Sequence, residues 1–178
     1  MKQLGITICI IIPLLLLSSF SSYGQISVKD TEESKIKNAA REIISAAGTS
    51  ALITLDSTGN PRARAMDAFP PEEDFTIWFG TNSNSRKVKQ ILNDPRVNIY
   101  YFDKELSAYV TIQGIASIVN DQWSKKKYWK KEWEAFYPDK NETYTLIKVK
   151  PIWMEVISDT HGIFGDSISW EPIAVDFD

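Results

Sequence analysis

Thr81–Val97, TNSNSRKVKQILNDPRV, carries the densest signal in the chain. Ser85 stands where a helix N-cap belongs, its hydroxyl able to accept a backbone N–H that the first turn leaves unpaired. Arg86 and Lys87 follow at once. The helix dipole already places partial positive charge at this end, so two cations there are unfavourable unless an anion sits against them. Free amides, a hydroxyl, a guanidinium and an ammonium together describe a phosphate cradle. A surface helix whose basic residues are merely solvated is the alternative. Val88, Ile91 and Leu92 are spaced to bury one face, Asn93, Asp94 and Pro95 end the helix, and Arg96 to Phe102 reads as a strand.

Working back from this segment, Ser50 to Asp56 is apolar and β-branched, Ser57 to Asn60 is turn chemistry, and Pro61 to Phe69 continues as the second strand of a hairpin. Pro70 and Pro71 stop that strand, and Phe75 to Phe79 reads as the next. Arg62 and Arg64 alternate with alanines, so both guanidinium groups emerge on one face, where they share an anion or one turns to water. Earlier still, Asp30 and Glu33 form a capping box for an amphipathic helix through Ile36, Ala39, Ala40, Ile43, Ile44 and Ala47, ending at Gly48. Downstream, Ser107 to Val119 is a long strand in which Gly114 marks a bulge. Asp121 to Phe136 is helical, and Tyr144 to Ile157 is a strand with Pro151 at an edge or bulge. Antiparallel strands with interrupting helices predict an α+β domain built on a small barrel.

The first residues speak to compartment. Met1 and Lys2, the apolar run Ile6–Leu17 and the small polar stretch Ser18–Gly24 have the form of a secretory signal peptide cleaved after Gly24, leaving one domain over residues 25–178. The apolar core is short for a membrane span, and no later segment is apolar enough for one; an uncleaved anchor is the alternative. The chain's single cysteine, Cys9, falls in the leader, so a secreted or periplasmic mature protein has neither a disulfide nor thiol chemistry. About 150 residues are enough to bury a core without one.

A formal charge of −3 argues against general nucleic-acid binding and favours small-molecule work. Lys125, Lys126, Lys127, Lys130 and Lys131, interleaved with Tyr128, Trp129 and Trp133, could stack single-stranded bases. Trp129, Trp133 and Phe136 also recur at helical spacing, and that pattern predicts a buried stripe with the lysines on the wet side. One histidine, His161, and no cysteine after the leader argue against a zinc site or a histidine-based triad.

The string Thr81, Asn82, Ser85, Arg86, Lys87, Gln90, Ile91, Asp94, Pro95, Arg96, Val97 resembles the flavin-phosphate segment of the pyridoxamine 5'-phosphate oxidase superfamily, whose members are FMN-binding split β-barrels and usually homodimers. The resemblance implies that Ser85, Arg86 and Lys87 hold the FMN phosphate with Arg64, the arginine three residues after the turn proline. It places Gly80 and Thr81 along the isoalloxazine or ribityl region, and Met66 where its backbone nears the ring, with ordinary core packing as the alternative for Met66. FAD is the alternative flavin.

Departures from the family pattern are specific. Phe69 stands where those oxidases carry a lysine, Tyr109 where a flavin-contacting glutamine falls, and the C-terminal Arg and His that recognise the vitamin have no counterpart. Vitamin B6 oxidation is thereby excluded as an expectation. Trp129 to Trp133, Phe136, Tyr137, Pro138, Tyr144 to Val149, Trp153 and Glu155 resemble the general stress protein branch, and the likeness spans residues 30 to 158. It implies an FMN-dependent oxidoreductase acting by two-electron transfer on a small substrate or electron donor; the leader adds export, and the net charge argues against nucleic acid. The n-region lacks a twin arginine, so the chain crosses unfolded and acquires flavin outside. That leaves open a carrier that binds a flavin or another phosphorylated ligand unchanged, or a barrel that has lost its cofactor.

Overall fold

The computed structural model describes residues 22–177 except residue 140, with side chains from residue 31 onward. Most of the expected leader, residues 1–21, lies outside the described residues. Helix α1 (Ser22–Ala47) buries Ile36, Ala39, Ala40, Ile43 and Ile44, the face its spacing marks. Asp30 lies inside this helix and does not cap it. The amides a cap would serve there already have carbonyl partners four residues back. Gly48, at φ +64°, turns the chain out of the helix, a conformation that costs glycine little.

Six strands and a short seventh follow: β1 (Thr49–Leu55), β2 (Pro61–Asp67), β3 (Ile77–Asn82), β4 (Arg96–Asp103), β5 (Ala108–Val119), β6 (Tyr144–Ser158) and β7 (Ile173–Asp176). All pairings are antiparallel, in the order β2-β1-β4-β5-β6-β3, with β7 added to β6. The ends of the sheet meet at one bridge, Ala68 with Phe79, and the Phe69 amide donates to the Trp78 carbonyl at 2.9 Å. A single bridge is not a ladder, so the barrel stays open, as the α+β split-barrel reading requires. Leu52, Ile77, Phe79, Ile99, Val110, Ile112, Ile147, Met154 and Val156 fill it under α1. Truncating any one to alanine is expected to cost about 2–5 kcal/mol.

Two strands depart from their expected bounds by two residues or more. β2 ends at Asp67 rather than Phe69, because the chain leaves its β1 partner there to bridge β3. β3 begins at Ile77 and runs on to Asn82, paired with Tyr144, while Phe75 stays in a turn at φ +61°. The bulge expected at Gly114 is present: Gln113 faces Trp153 and Gly114 faces Pro151, skipping Ile152. A Cβ on Gly114 would lie 2.5 Å from the Lys150 carbonyl oxygen, so the close approach of β5 to β6 excludes a side chain.

The helix expected over 121–136 is broken. Helix α3 (Gln122–Lys127) is capped by Asp121, whose carboxylate accepts the Ser124 amide at 2.8 Å, and a 3-10 turn follows at Lys131–Ala135. Between them Tyr128 leaves helical geometry, stacks on Trp78 at 4.4 Å and accepts the Tyr144 hydroxyl at its carbonyl. The predicted stripe therefore does not form: Trp129 and Trp133 are half-buried and Phe136 is 75% exposed. In its place Trp78, Tyr128, Tyr144 and Leu146 make a second core, with Phe69, Trp129, Trp133 and Tyr137 against it. Lys126, Lys127 and Lys131 are exposed as expected, but Lys125 is buried.

Candidate functional site

The hairpin arginines separate. Arg62 is anchored to Asp56, with N–O distances of 2.7 and 2.8 Å. Asp56 also accepts the Thr58 hydroxyl and the Thr58 and Asn60 amides, and these hydrogen bonds, the Thr58 hydroxyl first, hold its carboxyl well below the usual range. Arg62 is thus a turn residue. Arg64 reaches the other way: it donates to the Leu52 carbonyl at 3.2 Å, the Thr54 hydroxyl at 2.8 Å and Gln90 Oε1 at 3.0 Å. The buried Thr54 hydroxyl donates to the same Gln90 oxygen at 2.7 Å, so β1, β2 and helix α2 (Arg86–Asn93) are tied at one point.

Helix α2 follows β3 through the turn at Ser83–Ser85. Val88 and Ile91 are its buried residues, whereas Leu92, assigned to the same face, is 71% exposed. Ser85 is the N-cap residue by position, at φ −66° and ψ 151°, but its side chain serves no helix amide. Its hydroxyl lies 3.5 Å from that of Thr81 instead. Thr81 is buried at 3% exposure and accepts the Lys87 ammonium at 2.8 Å. Arg64, Thr81, Ser85, Arg86 and Lys87 are therefore one neighbourhood at the start of α2.

Three cations face one another here. Burial lowers the Arg64 pKa and so does the Arg86 charge; burial lowers the Lys87 pKa and so does the Arg64 charge. Among the described residues no carboxylate lies within 4.0 Å of any of the three, although Lys37, Arg62, Arg96, Lys127 and Lys130 each have one. Like charges held together without a counter-charge raise the energy of the free protein and lower it on binding an anion. Guanidinium, ammonium and hydroxyl donors at a helix N-terminus are the donor set a phosphate ester takes.

Met66 and Gly80, expected near the ring, both sit in packed surroundings. Met66 packs against the main core, and its carbonyl accepts the Ser50 hydroxyl at 3.1 Å. Gly80 alternates with Thr81, and a Cβ on it would lie 2.3 Å from the Trp133 ring, so its side-chain direction is the aromatic cluster. Five clefts of the surface are lined by none of Arg64, Ser85, Arg86 and Lys87. Thr54 and Gln90 are the members the sequence reading left without a role. Gln90 lies four residues after Arg86 and so on its side of the helix, and that spacing was the signal available.

His161 sits elsewhere. Its Nδ1 is 2.7 Å from the Ser158 hydroxyl and its Nε2 is 2.9 Å from Glu42. This line of hydroxyl, imidazole and carboxylate has the membership of a triad, but Ser158 is wholly buried and cannot meet a substrate. It ties α1 to the end of β6.

A model of the family described as pyridoxamine 5'-phosphate oxidase like matches residues 35–166. General stress protein 26 of Bacillus subtilis (strain 168) is 29% identical over 97 residues, 52% of this chain and 68% of that protein. The crystal structure of General Stress Protein 26 from Bacillus anthracis str. Sterne superposes with a TM-score of 0.61 at 26% identity, covering 82% of this chain and 98% of that one. A pyridoxamine 5'-phosphate oxidase-related, FMN binding protein from Nostoc punctiforme PCC 73102 shares the fold, with a TM-score of 0.56 at 13% identity over 90% of this chain and 98% of that one.

Proposed function

The chain belongs to the pyridoxamine 5'-phosphate oxidase-like family, and from that premise we propose that it binds FMN, phosphate first, at the start of α2. One observation carries this reading: Arg64, Arg86 and Lys87 converge beside Thr81 and Ser85 with no carboxylate among them. Arg64 and Lys87 would grip the phosphate from the barrel side, where Thr54, Gln90 and Thr81 hold their side chains in place, and Arg86 would close on it from solvent. When bound, the flavin supplies two-electron redox chemistry, and the protein supplies position and charge. FAD would offer the same cradle one of its phosphates.

The protein as a whole is proposed to act outside the cytoplasm as a homodimer. Tyr100, Phe102, Ile115 and Ile152 expose apolar surface on β4, β5 and β6, and a second copy packed there would cover apolar area that water otherwise meets. Vitamin B6 oxidation stays outside the proposal, because Phe69 packs edge-on to Tyr128 and Trp133 where the oxidases have a lysine. A flavin carrier is the second reading. The cradle holds cations, hydroxyls and an amide, and none of these is poised as a general acid or base.

Titration of the purified protein with FMN and with riboflavin tests this. The expected result is saturable, stoichiometric quenching of flavin fluorescence by FMN, with riboflavin bound at least about tenfold more weakly. Equal affinities would put recognition on the ring, and absence of binding in a folded protein would leave only the barrel. Reduction of bound flavin by a nicotinamide donor, and its reoxidation, would separate the enzyme from the carrier.

A further inference from the structure

Arg64 spends its hydrogen-bond donors unevenly. A guanidinium carries five N–H groups in one fixed plane. Both Nη1 hydrogens are taken, by the Leu52 carbonyl at 3.2 Å and the Thr54 hydroxyl at 2.8 Å, and one on Nη2 goes to Gln90 Oε1 at 3.0 Å. The Nε–H and the second Nη2–H have no acceptor among the described residues. Those two run parallel along one edge of the guanidinium, the edge that meets two oxygens of one phosphate at once.

The acceptors that hold this orientation are ordered by their chemistry. Arginine only donates, so the Gln90 atom facing it is the oxygen. The Thr54 hydroxyl accepts from Arg64 and gives its own proton onward, to the same Gln90 oxygen at 2.7 Å. Arg64, Thr54 and Gln90 thereby close a ring of three hydrogen bonds, with Gln90 Oε1 accepting two of them. Thr54 is fully buried, and Gln90 stands on α2 four residues after Arg86 and three after Lys87. The ring sets the guanidinium against the helix that carries the other two cations. Arg64 is its only charged member, so nothing in it competes with an arriving anion.

On the premise that FMN binds at the start of α2, we infer that Gln90 and Thr54 are positioning residues that make the cradle selective for a terminal phosphomonoester. The locked edge of Arg64 takes two oxygens of the phosphate. Lys87, whose ammonium gives one proton to Thr81 and keeps two, takes the third, with Arg86 beside it. FMN ends in a phosphate with three such oxygens. Each phosphate of FAD has two, because bridging oxygens occupy its other positions, and a cation is left without a partner. A guanidinium free to turn would tolerate either arrangement.

The test is calorimetric titration of the full purified protein with FMN, FAD and riboflavin, in the parent and in Gln90→Met, Thr54→Val and Thr54→Ser. The parent is expected to prefer FMN to FAD by about tenfold. Gln90→Met removes the acceptor and keeps the length: FMN affinity should fall about fivefold, the preference over FAD should shrink to roughly twofold, and riboflavin affinity should stay within about twofold of the parent's. Thr54→Val should repeat this pattern, and keeps the test decisive if Gln90→Met does not fold. Thr54→Ser, which retains the hydroxyl, should bind as the parent does. A merely structural role would lower all three affinities together, and that result overturns the inference. So do equal affinities for FMN and FAD in the parent, an unchanged preference in Gln90→Met and Thr54→Val, or a Thr54→Ser protein that behaves as Thr54→Val. If the parent binds no FMN, the flavin site falls and its selectivity with it; if FMN binds and the preference does not move, the positioning role alone falls.

Discussion

The two faces of β3 handle positive charge in opposite ways. On the Thr81 face three cations crowd together at half-burial or less, each within reach of water and of any anion that arrives. On the Gly80 face the cations are parted by aromatic rings: Lys130 lies 5.0 Å from the Phe69 ring and 5.4 Å from that of Trp133, and Lys125 is sealed beside Tyr144. On the first face no carboxylate among the described residues offsets the repulsion, whereas on the second it is offset by π-systems, by amide oxygens and, for Lys130, by the Asp67 carboxylate at 2.6 Å. The first face should therefore govern anion affinity and contribute little to stability, and the second should do the reverse for the fold.

The largest effect is expected from removing two cradle charges at once. Arg86→Ala with Lys87→Ala should weaken FMN binding by about a hundredfold or more, since each charge-assisted contact contributes about 1.5–3 kcal/mol. The thermal midpoint of the unliganded protein should hold or rise, because mutual repulsion is relieved. Unchanged flavin affinity in the folded variant would dissolve the contrast between the faces.

Gly80→Ala probes the other face. Its Cβ would meet Trp133 at 2.3 Å and Tyr144 at 2.8 Å, so the aromatic cluster must shift, at an expected cost of about 1–3 kcal/mol. Denaturant melts should show a lower midpoint, while FMN affinity of the folded fraction changes far less than in the charge variant. A stable Gly80→Ala protein that loses flavin would mean that the faces are coupled.

That asymmetry also explains what was legible in the sequence. Ser85, Arg86 and Lys87 could be named because a helix start is a local pattern, whereas alternation left Arg62 and Arg64 equivalent and only the family resemblance selected Arg64; the structure brings Arg64 and those three together. Thr54 could not be named, since its role depends on β1 lying between β2 and β4, with α2 packed across it. The aromatic face was misread for the same reason. Lysine-rich 121–136 has helical periodicity, but Tyr128 is drawn out of the helix by Trp78, fifty residues earlier, and by Tyr144 and Glu72. Pairing of Ile173–Asp176 with β6 is another long-range event, and alternation over so few residues gave too little signal to predict β7.

A subtler separation comes from pH. Lys87 loses its proton below the ordinary 10.5, through burial first and then the Arg64 charge. FMN affinity should be full while the ammonium is charged and fall as pH rises through that lowered pKa, by up to about tenfold. Stability of the unliganded protein carries the opposite sign: the folded state binds fewer protons than the unfolded one in this window, so this group's contribution rises with pH until 10.5 is passed. Lys87→Arg should move the loss of affinity to higher pH. An identical alkaline limb in that variant would assign the titration to another group.

The smallest effect should come from the arginine that most resembles a cradle residue. Arg62 and Arg64 sit two apart on one strand, and periodicity alone puts them on a common face. Asp56 decides between them: held by the Thr58 hydroxyl, the Thr58 and Asn60 amides and Arg62, it keeps the Arg62 guanidinium at the turn, whereas Arg64 opposite Leu52 has only neutral acceptors. Arg62→Ala is accordingly expected to change FMN affinity by no more than roughly twofold, the scale of an exposed ion pair acting at a distance. Arg64→Ala should cost about tenfold or more. Measured side by side by fluorescence titration, the pair isolates the counter-charge as the cause, because residue type, strand and face are otherwise shared. If Arg62→Ala proved as damaging as Arg64→Ala, the cradle would extend to the hairpin turn, and Asp56 would have to release its partner when flavin binds.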